Sequence, residues 1–140
     1  MTDAIHSIDE QMTFDLYEPS DNAQVVYSAR KILAGMNFGE TAQYLIASAV
    51  SELSTNIIRY AQKGKITLSV IHRGDKTGFE VNAQDQGPGI ADMDIAMKEN
   101  YSSGNGLGLG LPSVKRIMDE FQIQSTPGVG TRITAIKWMD

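Results

Sequence analysis

Gly104-Asn105-Gly106-Leu107-Gly108-Leu109-Gly110 is the stretch that decides the fold, because its four glycines alternate with other residues directly before a helical pattern. A backbone of this kind exposes consecutive N–H groups that bind an anion, and the N-terminus of the following helix adds a favourable dipole. The segment therefore predicts a loop that binds a triphosphate.

Three other interpretations of this glycine-rich loop are less consistent with its sequence. A dinucleotide-binding fingerprint needs a strand directly before the loop and a third glycine, but Leu109 stands at that position. A Walker A loop ends in Gly-Lys-Ser/Thr, and no lysine follows here. Flexible linkers are rich in glycine and serine, whereas Leu107, Leu109 and Leu111 are apolar.

The rest of the chain separates into segments with the helical period and segments with the strand period. The predicted elements are, in chain order, strand 13–18, helices 23–36 and 40–62, strands 65–72 and 79–85, helices 92–100 and 111–120, and strands 121–125 and 131–138. This order predicts an α+β fold, a two-layer sandwich in which helices cover one face of a mixed sheet. Residues 1–140 form one predicted domain, and residues 1–11 lack a period and are expected to be disordered.

Composition excludes several classes of protein. With 140 residues, 41% of them hydrophobic, the chain is long enough and apolar enough to bury its own core. A net charge of −5 argues against nucleic-acid binding, and the absence of cysteine excludes disulfides and thiolate metal sites. No apolar run approaches the roughly 20 residues that cross a bilayer. We expect a soluble, cytoplasmic protein with no nucleic-acid or membrane partner.

Glu52 and Asn56 lie one turn apart on a single face of the second predicted helix. A carboxylate can accept a proton, and an amide oxygen can bind a hard cation such as Mg²⁺. Taken alone, the pair is more typical of a solvated helix surface.

The segment Asp85-Gln86-Gly87-Pro88-Gly89 ends a predicted strand, and alternation places Asp85 on the core side. An acid there needs a hydrogen-bond donor, which an adenine amino group would supply, and Gly87 and Gly89 allow a flat ring to approach the backbone. An Asp-capped turn explains this segment equally well.

Gly128-Val129-Gly130-Thr131 is typical of a tight turn, and Thr131 could add a hydroxyl near the adenine.

Together and in this order, the four motifs resemble those of the Bergerat ATP-binding fold, shared by gyrase, Hsp90, histidine kinases and MutL (the GHKL superfamily). Glu52-x-x-x-Asn56 resembles the N box, and the segments that begin at Asp85, Gly104 and Gly128 resemble the three glycine boxes. The resemblance covers about residues 40–135. It implies Mg²⁺ and ATP as cofactors, with a lid over residues 91–107.

The resemblance also implies a role for each motif. Glu52 takes or orients the proton of the substrate hydroxyl, Asn56 coordinates Mg²⁺, and Asp85 accepts the adenine amino hydrogen. The residues that would bind ATP are Asn56, Asp85, Gly87, Gly89, Gly104, Gly106, Leu107, Gly108, Leu109, Gly110 and Thr131.

Within the superfamily, three segments resemble the switch kinases of the stressosome. They are SELSTNIIRYA from Ser51, AQDQGPGI from Ala83 and GLGLGLPSVKRIMDEF from Gly106. These free-standing serine/threonine kinases phosphorylate STAS-domain antagonist and scaffold proteins. They are then released to activate a downstream partner, such as a PP2C-type phosphatase.

Two alternatives stay open. One is an anti-sigma factor that binds a sigma subunit and phosphorylates its STAS-domain antagonist. Tyr60 stands where many anti-sigma kinases carry histidine, which argues slightly against it. The other is a binding module without catalytic activity, whose conformation depends on bound nucleotide.

Overall fold

The computed structural model describes residues 7–87 and 110–139. The elements in these ranges are strand β1 (Ser7–Leu16), helices α1 (Pro19–Gly35) and α2 (Glu40–Asn56), a π-helical turn (Ile57–Ala61), strands β2 (Gly64–Arg73) and β3 (Lys76–Asp85), helix α3 (Leu111–Ile117), and strands β4 (Glu120–Thr126) and β5 (Gly130–Trp138).

The five strands form one sheet in the order β1-β2-β3-β5-β4, and each neighbouring pair is antiparallel. The predicted two-layer α+β fold is confirmed, but the prediction of a mixed sheet was wrong for these strands. A tight turn at Gly74-Asp75 joins β2 to β3, and residues 127–129 join β4 to β5. Connections this short join only antiparallel neighbours.

The main core lies between the helices and one face of the sheet. On β3, buried Phe79, Val81 and Ala83 alternate with half-buried polar residues, as the strand period predicts. Helices α1 and α2 bury their apolar sides against this face. The opposite face of the sheet is mainly polar, apart from a small cluster of Ile71, Ile136 and Trp138.

Strand β1 begins at Ser7, six residues before the predicted start, so residues 7–11 belong to the sheet instead of being disordered. All ten residues of β1 except Phe14 and Leu16 are exposed, because β1 is an edge strand. Its buried positions are therefore too few to produce a visible period.

Helix α1 also begins earlier than predicted, since Asp21 accepts the N–H groups of Tyr17 and Glu18 at 2.8 and 3.0 Å and so caps the helix. These two bonds lower the pKa of Asp21.

Two further predicted boundaries differ from the structure. Helix α2 ends at Asn56 and continues as the π-helical turn, and α3 ends at Ile117. The predicted helix 92–100 lies outside the described residues. Within the two described ranges, no helix is both long enough and apolar enough to cross a bilayer.

Candidate functional site

Glu52 and Asn56 occupy the last two turns of helix α2, and both are half-buried. The structure brings Glu52 against Gly110, the residue just before helix α3. A Cβ on Gly110 would lie 2.5 Å from the carboxyl carbon of Glu52, closer than any real Cβ contact. Gly110 also has a φ of +69°, which disfavours other residues. The positive φ favours glycine here, and the absence of a Cβ lets the Glu52 carboxylate lie against the residue that precedes α3.

The π-helical turn that follows Asn56 connects helix α2 to the sheet. It ends at Ala61, the next residue Gln62 has a left-handed φ of +71°, and β2 begins at Gly64. A Cβ on Gly64 would lie 2.7 Å from Cγ2 of Ile57 and 3.0 Å from Cβ of Asp85. The absence of a side chain at Gly64 therefore lets the turn pack directly beside the end of β3. Isolated π-helical turns are frequent at functional sites.

Asp85 ends β3 between two other strand ends, since it pairs with Gly64 of β2 and with Thr131 of β5. It is half-buried on the helix side of the sheet, as alternation predicts. Its Oδ1 accepts the backbone N–H of Gly87 at 2.9 Å. The Asp-capped turn predicted as one interpretation is therefore present. The bond to Gly87 engages one of the two carboxylate oxygens, which leaves acceptor capacity on the other.

Strand β5 approaches Asp85 closely through Gly130. A Cβ there would collide with the backbone carbonyl of Asp85 and lie 2.9 Å from Cα of Gln86. Beside it, the Thr131 hydroxyl lies 2.8 Å from that of Ser125 on β4. The structure thus places Thr131 next to Asp85, with its hydroxyl already hydrogen-bonded to a neighbouring strand.

An open cleft of about 520 Å³ lies at this end of the sheet. Its walls include Asp85, Gly130 and Thr131, but not Glu52 or Asn56. The predicted site residues therefore form two groups, one at the strand ends and one at the helix ends. They are linked through Ile57, which follows Asn56 and contacts Gly64, the strand partner of Asp85.

Sequence reasoning missed several residues that shape the site. Gly64 directly precedes the predicted strand 65–72 and was not singled out for the site, although glycine in a strand is typical of a close backbone approach. Ala61 was not singled out, yet a Cβ on Gly87 would lie 2.6 Å from its Cβ. No sequence signal pointed to Ser125, because its bond to Thr131 depends on the pairing of β4 with β5.

The remaining predicted site residues lie outside the described residues. They are Gly89, Gly104, Gly106, Leu107, Gly108 and Leu109, together with the lid predicted over residues 91–107. Their roles stay predictions, as do the roles assigned to Glu52, Asn56, Asp85, Gly87, Gly110 and Thr131.

Comparisons with known proteins give a consistent result. Residues 41–139 match the family described as histidine kinase-, DNA gyrase B- and HSP90-like ATPases. The serine/threonine-protein kinase RsbT of Bacillus subtilis is 46% identical over 110 residues, which are 79% of this chain and 83% of that protein. An anti-sigma F factor of a Thermoanaerobacter species is 34% identical over 100 residues, 67% of this chain and 68% of that protein.

A solved structure of similar fold contains the RsbU and RsbW domains of a Mycobacterium tuberculosis protein. It superposes with a TM-score of 0.65 at 14% identity and covers 94% of this chain. The chain spans only 34% of that longer protein chain. The similarity confirms the fold.

Proposed function

The chain belongs to the family of histidine kinase-, DNA gyrase B- and HSP90-like ATPases, and on this basis we propose that it phosphorylates STAS-domain proteins of a bacterial stressosome. It is an ATP-dependent serine/threonine protein kinase of a partner-switching system. Its substrates are the STAS-domain antagonist and scaffold proteins. After the transfer it is released and activates a downstream partner such as a PP2C-type phosphatase.

The observation that carries this proposal is the contact between Glu52 and Gly110. Gly110 is the last residue of the predicted phosphate-binding loop, and Glu52 is the predicted base. In this contact a carboxylate lies at the junction of that loop with helix α3. A kinase needs an acceptor for the substrate proton close to the transferred phosphate, and Glu52 has a suitable position and chemistry.

The transfer proceeds in one balanced step. The serine or threonine oxygen of the substrate attacks the γ-phosphorus of ATP, and the bond between that phosphorus and the β–γ bridging oxygen breaks. ADP leaves with the bridging oxygen, and Glu52 accepts the hydroxyl proton. Most of the acceleration comes from holding the two reactants in place, so few catalytic side chains are required.

Asp85 is the adenine-binding residue of this proposal. Its Oδ1 is engaged with the N–H of Gly87, which fixes the orientation of the carboxylate plane. The remaining acceptor capacity can take the adenine amino hydrogen. The turn and the nucleotide contact are therefore compatible functions of one side chain. Thr131, beside Asp85 on β5, completes this end of the site.

Asn56 would hold Mg²⁺, whose charge, when bound, neutralises that of the phosphates. An amide oxygen is a suitable ligand for this hard cation, and Asn56 is only half-buried at the end of α2. The described residues contain no group of three or more acidic, histidine or cysteine side chains that could hold a metal ion. Phosphate oxygens and water would therefore supply the other ligands, as is usual for magnesium in kinases. We place the enzyme in the cytoplasm, because its nucleotide substrate, ATP, is made and kept in that compartment.

The direct test is to incubate the purified protein with Mg-ATP and a STAS-domain protein and to locate new phosphate by mass spectrometry. We expect one phosphorylated serine or threonine on the STAS protein, and no phosphate when Mg²⁺ is chelated. ATP binding without any phosphate transfer to STAS proteins would contradict the proposal and favour the nucleotide-gated binding module.

An anti-sigma factor is the second candidate function, and the similarity to anti-sigma F factors favours it. A pull-down with purified sigma subunits separates the two. Retention of a sigma subunit in an ATP-dependent complex would support the anti-sigma function, whereas the stressosome kinase is expected to retain none.

A further inference from the structure

Helix α2 has an exposed face, formed by Tyr44, Leu45 and Ser48, that begins with two large apolar side chains. Tyr44 exposes 70% of its surface and Leu45 43%, and the small Ser48 is exposed one turn later. Exposed large apolar side chains are the exception in the described chain, and two of them are adjacent here. Groups of such side chains typically mark surfaces that another molecule covers.

The α2 face leads directly to the candidate base. Tyr44, Ser48 and Glu52 follow one another at intervals of four residues, so they lie along the same side of the helix. At about 1.5 Å per residue, Glu52 lies roughly 12 Å beyond Tyr44 along the helix axis. Ser48, between them, is too small to obstruct a partner. One protein can therefore cover the face and still reach Glu52.

Helix α1 carries an exposed cation, Arg30, near the level at which the α2 face begins. The Asn22 amide donates a hydrogen bond to the Ser51 hydroxyl at 3.3 Å, which sets the register of these antiparallel helices. Arg30 lies eight residues after Asn22, and Gln43 lies eight residues before Ser51. Arg30 therefore lies level with the start of the α2 face, next to Tyr44 in sequence register.

The described helices together carry a positive charge although the protein is negative. The three described helices and the π-helical turn contain five arginines and lysines but only three carboxylates, while the whole chain has a net charge of −5. Lys115 on α3, one of these five, is exposed. A partner with carboxylates around an apolar centre would complement the layer, and opposite charges also speed its association.

We propose that the α2 face is the docking surface for the protein substrate, and that this substrate presents an apolar patch bordered by carboxylates. The proposal rests on the proposed kinase function and identifies how the substrate is recognised. Tyr44 and Leu45 supply the apolar contact, Arg30 pairs with an acidic side chain of the substrate, and the acceptor hydroxyl reaches Glu52. Docking at a distance from the reacting atoms positions the hydroxyl before transfer.

The test compares substrate kinetics of three variants with those of the wild type, using the STAS-domain protein identified by mass spectrometry. Leu45→Glu places a charge in the apolar contact, and Arg30→Glu reverses the charge of the cation on helix α1. We expect each to raise the KM for the STAS protein about tenfold or more, which corresponds to the loss of one strong interface contact. The KM for ATP should stay unchanged. Ile8→Glu is the matched control, because it adds the same charge to an exposed apolar position on β1, outside the α2 face.

The outcomes separate this inference from the proposed function. If the wild type transfers no phosphate to the STAS protein, the proposed function fails. If the wild type is active and Leu45→Glu and Arg30→Glu both retain its KM for the STAS protein, the proposed docking surface is wrong. Tyr44→Ala repeats the measurement in case a charged variant unfolds. Sedimentation that showed a dimer of the wild type, but a monomer of Leu45→Glu, would assign the face to contact between two copies and overturn the proposal.

Discussion

The Glu52 carboxylate lies against a neighbour that has no side chain. Its carboxylate contacts Gly110, and any Cβ at that position would overlap it. The spacing of Glu52 and Asn56 on one helix could be predicted from sequence, whereas the contact with Gly110 could not. The two residues are 58 positions apart in the chain, and only the packing of α3 beside α2 brings them together.

Replacement of Glu52 by glutamine should slow phosphoryl transfer while preserving nucleotide binding. The amide fills the same space beside Gly110 but cannot accept the substrate proton, so we expect kcat to fall by about 10²- to 10⁴-fold. Affinity for ATP, measured by calorimetry, should change less than about twofold, since the change removes an interaction with the substrate proton alone. Glu40→Gln, at the exposed start of the same helix, is the control. An equal loss of affinity and rate would instead identify Glu52 as a structural residue.

The Asp85→Asn substitution tests the adenine contact without removing the local turn. The remaining amide oxygen can still accept the Gly87 N–H, but the new NH₂ group would face the adenine amino group, which is also a donor. We expect affinity for ATP to fall about tenfold or more, because a polar group is then left unpaired in the site. Asp75→Asn in the β2–β3 turn is the control, and unchanged affinity for ATP in Asp85→Asn would refute the assigned role.

At the scale of elements, the junction between helix α2 and strand β2 determines how the two groups of site residues meet. The helical period predicted one helix over residues 40–62, and the chain does remain helical to Ala61. The spacing of apolar residues does not reveal the change from α-helix to π-helix at Ile57. The π-helical turn packs against Gly64 and Gly87 at the strand ends, and these contacts between distant residues are not encoded in the helical period.

A side chain at Gly64 should therefore disturb this junction. In Gly64→Ala, the new Cβ would lie 2.6 Å from the Gln84 carbonyl oxygen and 2.7 Å from Ile57, so strand or turn must move. We expect the free energy of unfolding to fall by about 1–3 kcal/mol, the usual cost of overpacking. Urea denaturation followed by the fluorescence of the single tryptophan, Trp138, measures it.

Gly35→Ala is the matched control for that measurement. A Cβ at Gly35 would meet nothing within 4 Å, and the residue ends helix α1 without a positive φ. Alanine there should leave stability unchanged or raise it by about 0.4–1 kcal/mol, since it restricts the unfolded chain. Equal effects of the two substitutions would show that Gly64 is not needed for close packing.

At the scale of the whole molecule, the sequence predicted which layers form but not how the strands are directed. Alternation on β3 and the helical periods of α1 and α2 reflect burial, which is a local property of each segment. The antiparallel arrangement of all described strands depends on their order in the sheet, and this order is a property of the whole chain. Strand β1 was predicted too short for a related reason, since an edge strand buries little and so carries little pattern.

One cluster on the uncovered face of the sheet joins strands that are not neighbours. Glu120 of β4 accepts a hydrogen bond from the Trp138 indole at 2.8 Å and from Arg73 of β2 at 2.9 Å. The Arg73 guanidinium also lies 4.9 Å from the centre of the Trp138 ring. Burial tends to raise the pKa of Glu120, but the bonds from Trp138 and Arg73 and the charges of Arg73 and Lys76 bring the pKa below its ordinary value of 4.5.

The lowered pKa makes this cluster a source of acid-dependent stability. The folded state holds Glu120 charged more firmly than the unfolded state does, so its stabilising effect is complete above about pH 4.5. It is lost as the pH falls through the lower folded pKa. Glu120→Gln keeps the size and shape of the side chain but removes its charge. The gap in unfolding free energy between wild type and variant should therefore be largest near pH 6 and shrink towards pH 3.

The size of that gap is limited by solvent. The Glu120 side chain is 41% exposed, and water screens its pairing with Arg73, so we expect a gap at pH 6 of no more than about 1 kcal/mol. Trp138→Phe removes the indole hydrogen-bond donor, which is one cause of the lowered Glu120 pKa. This variant should therefore also weaken the pH dependence of the unfolding free energy. Since it also removes the fluorophore, both variants are followed by circular dichroism. A gap that stays constant from pH 6 to pH 3 would mean that the charge of Glu120 adds nothing to the bond between strands β2, β4 and β5.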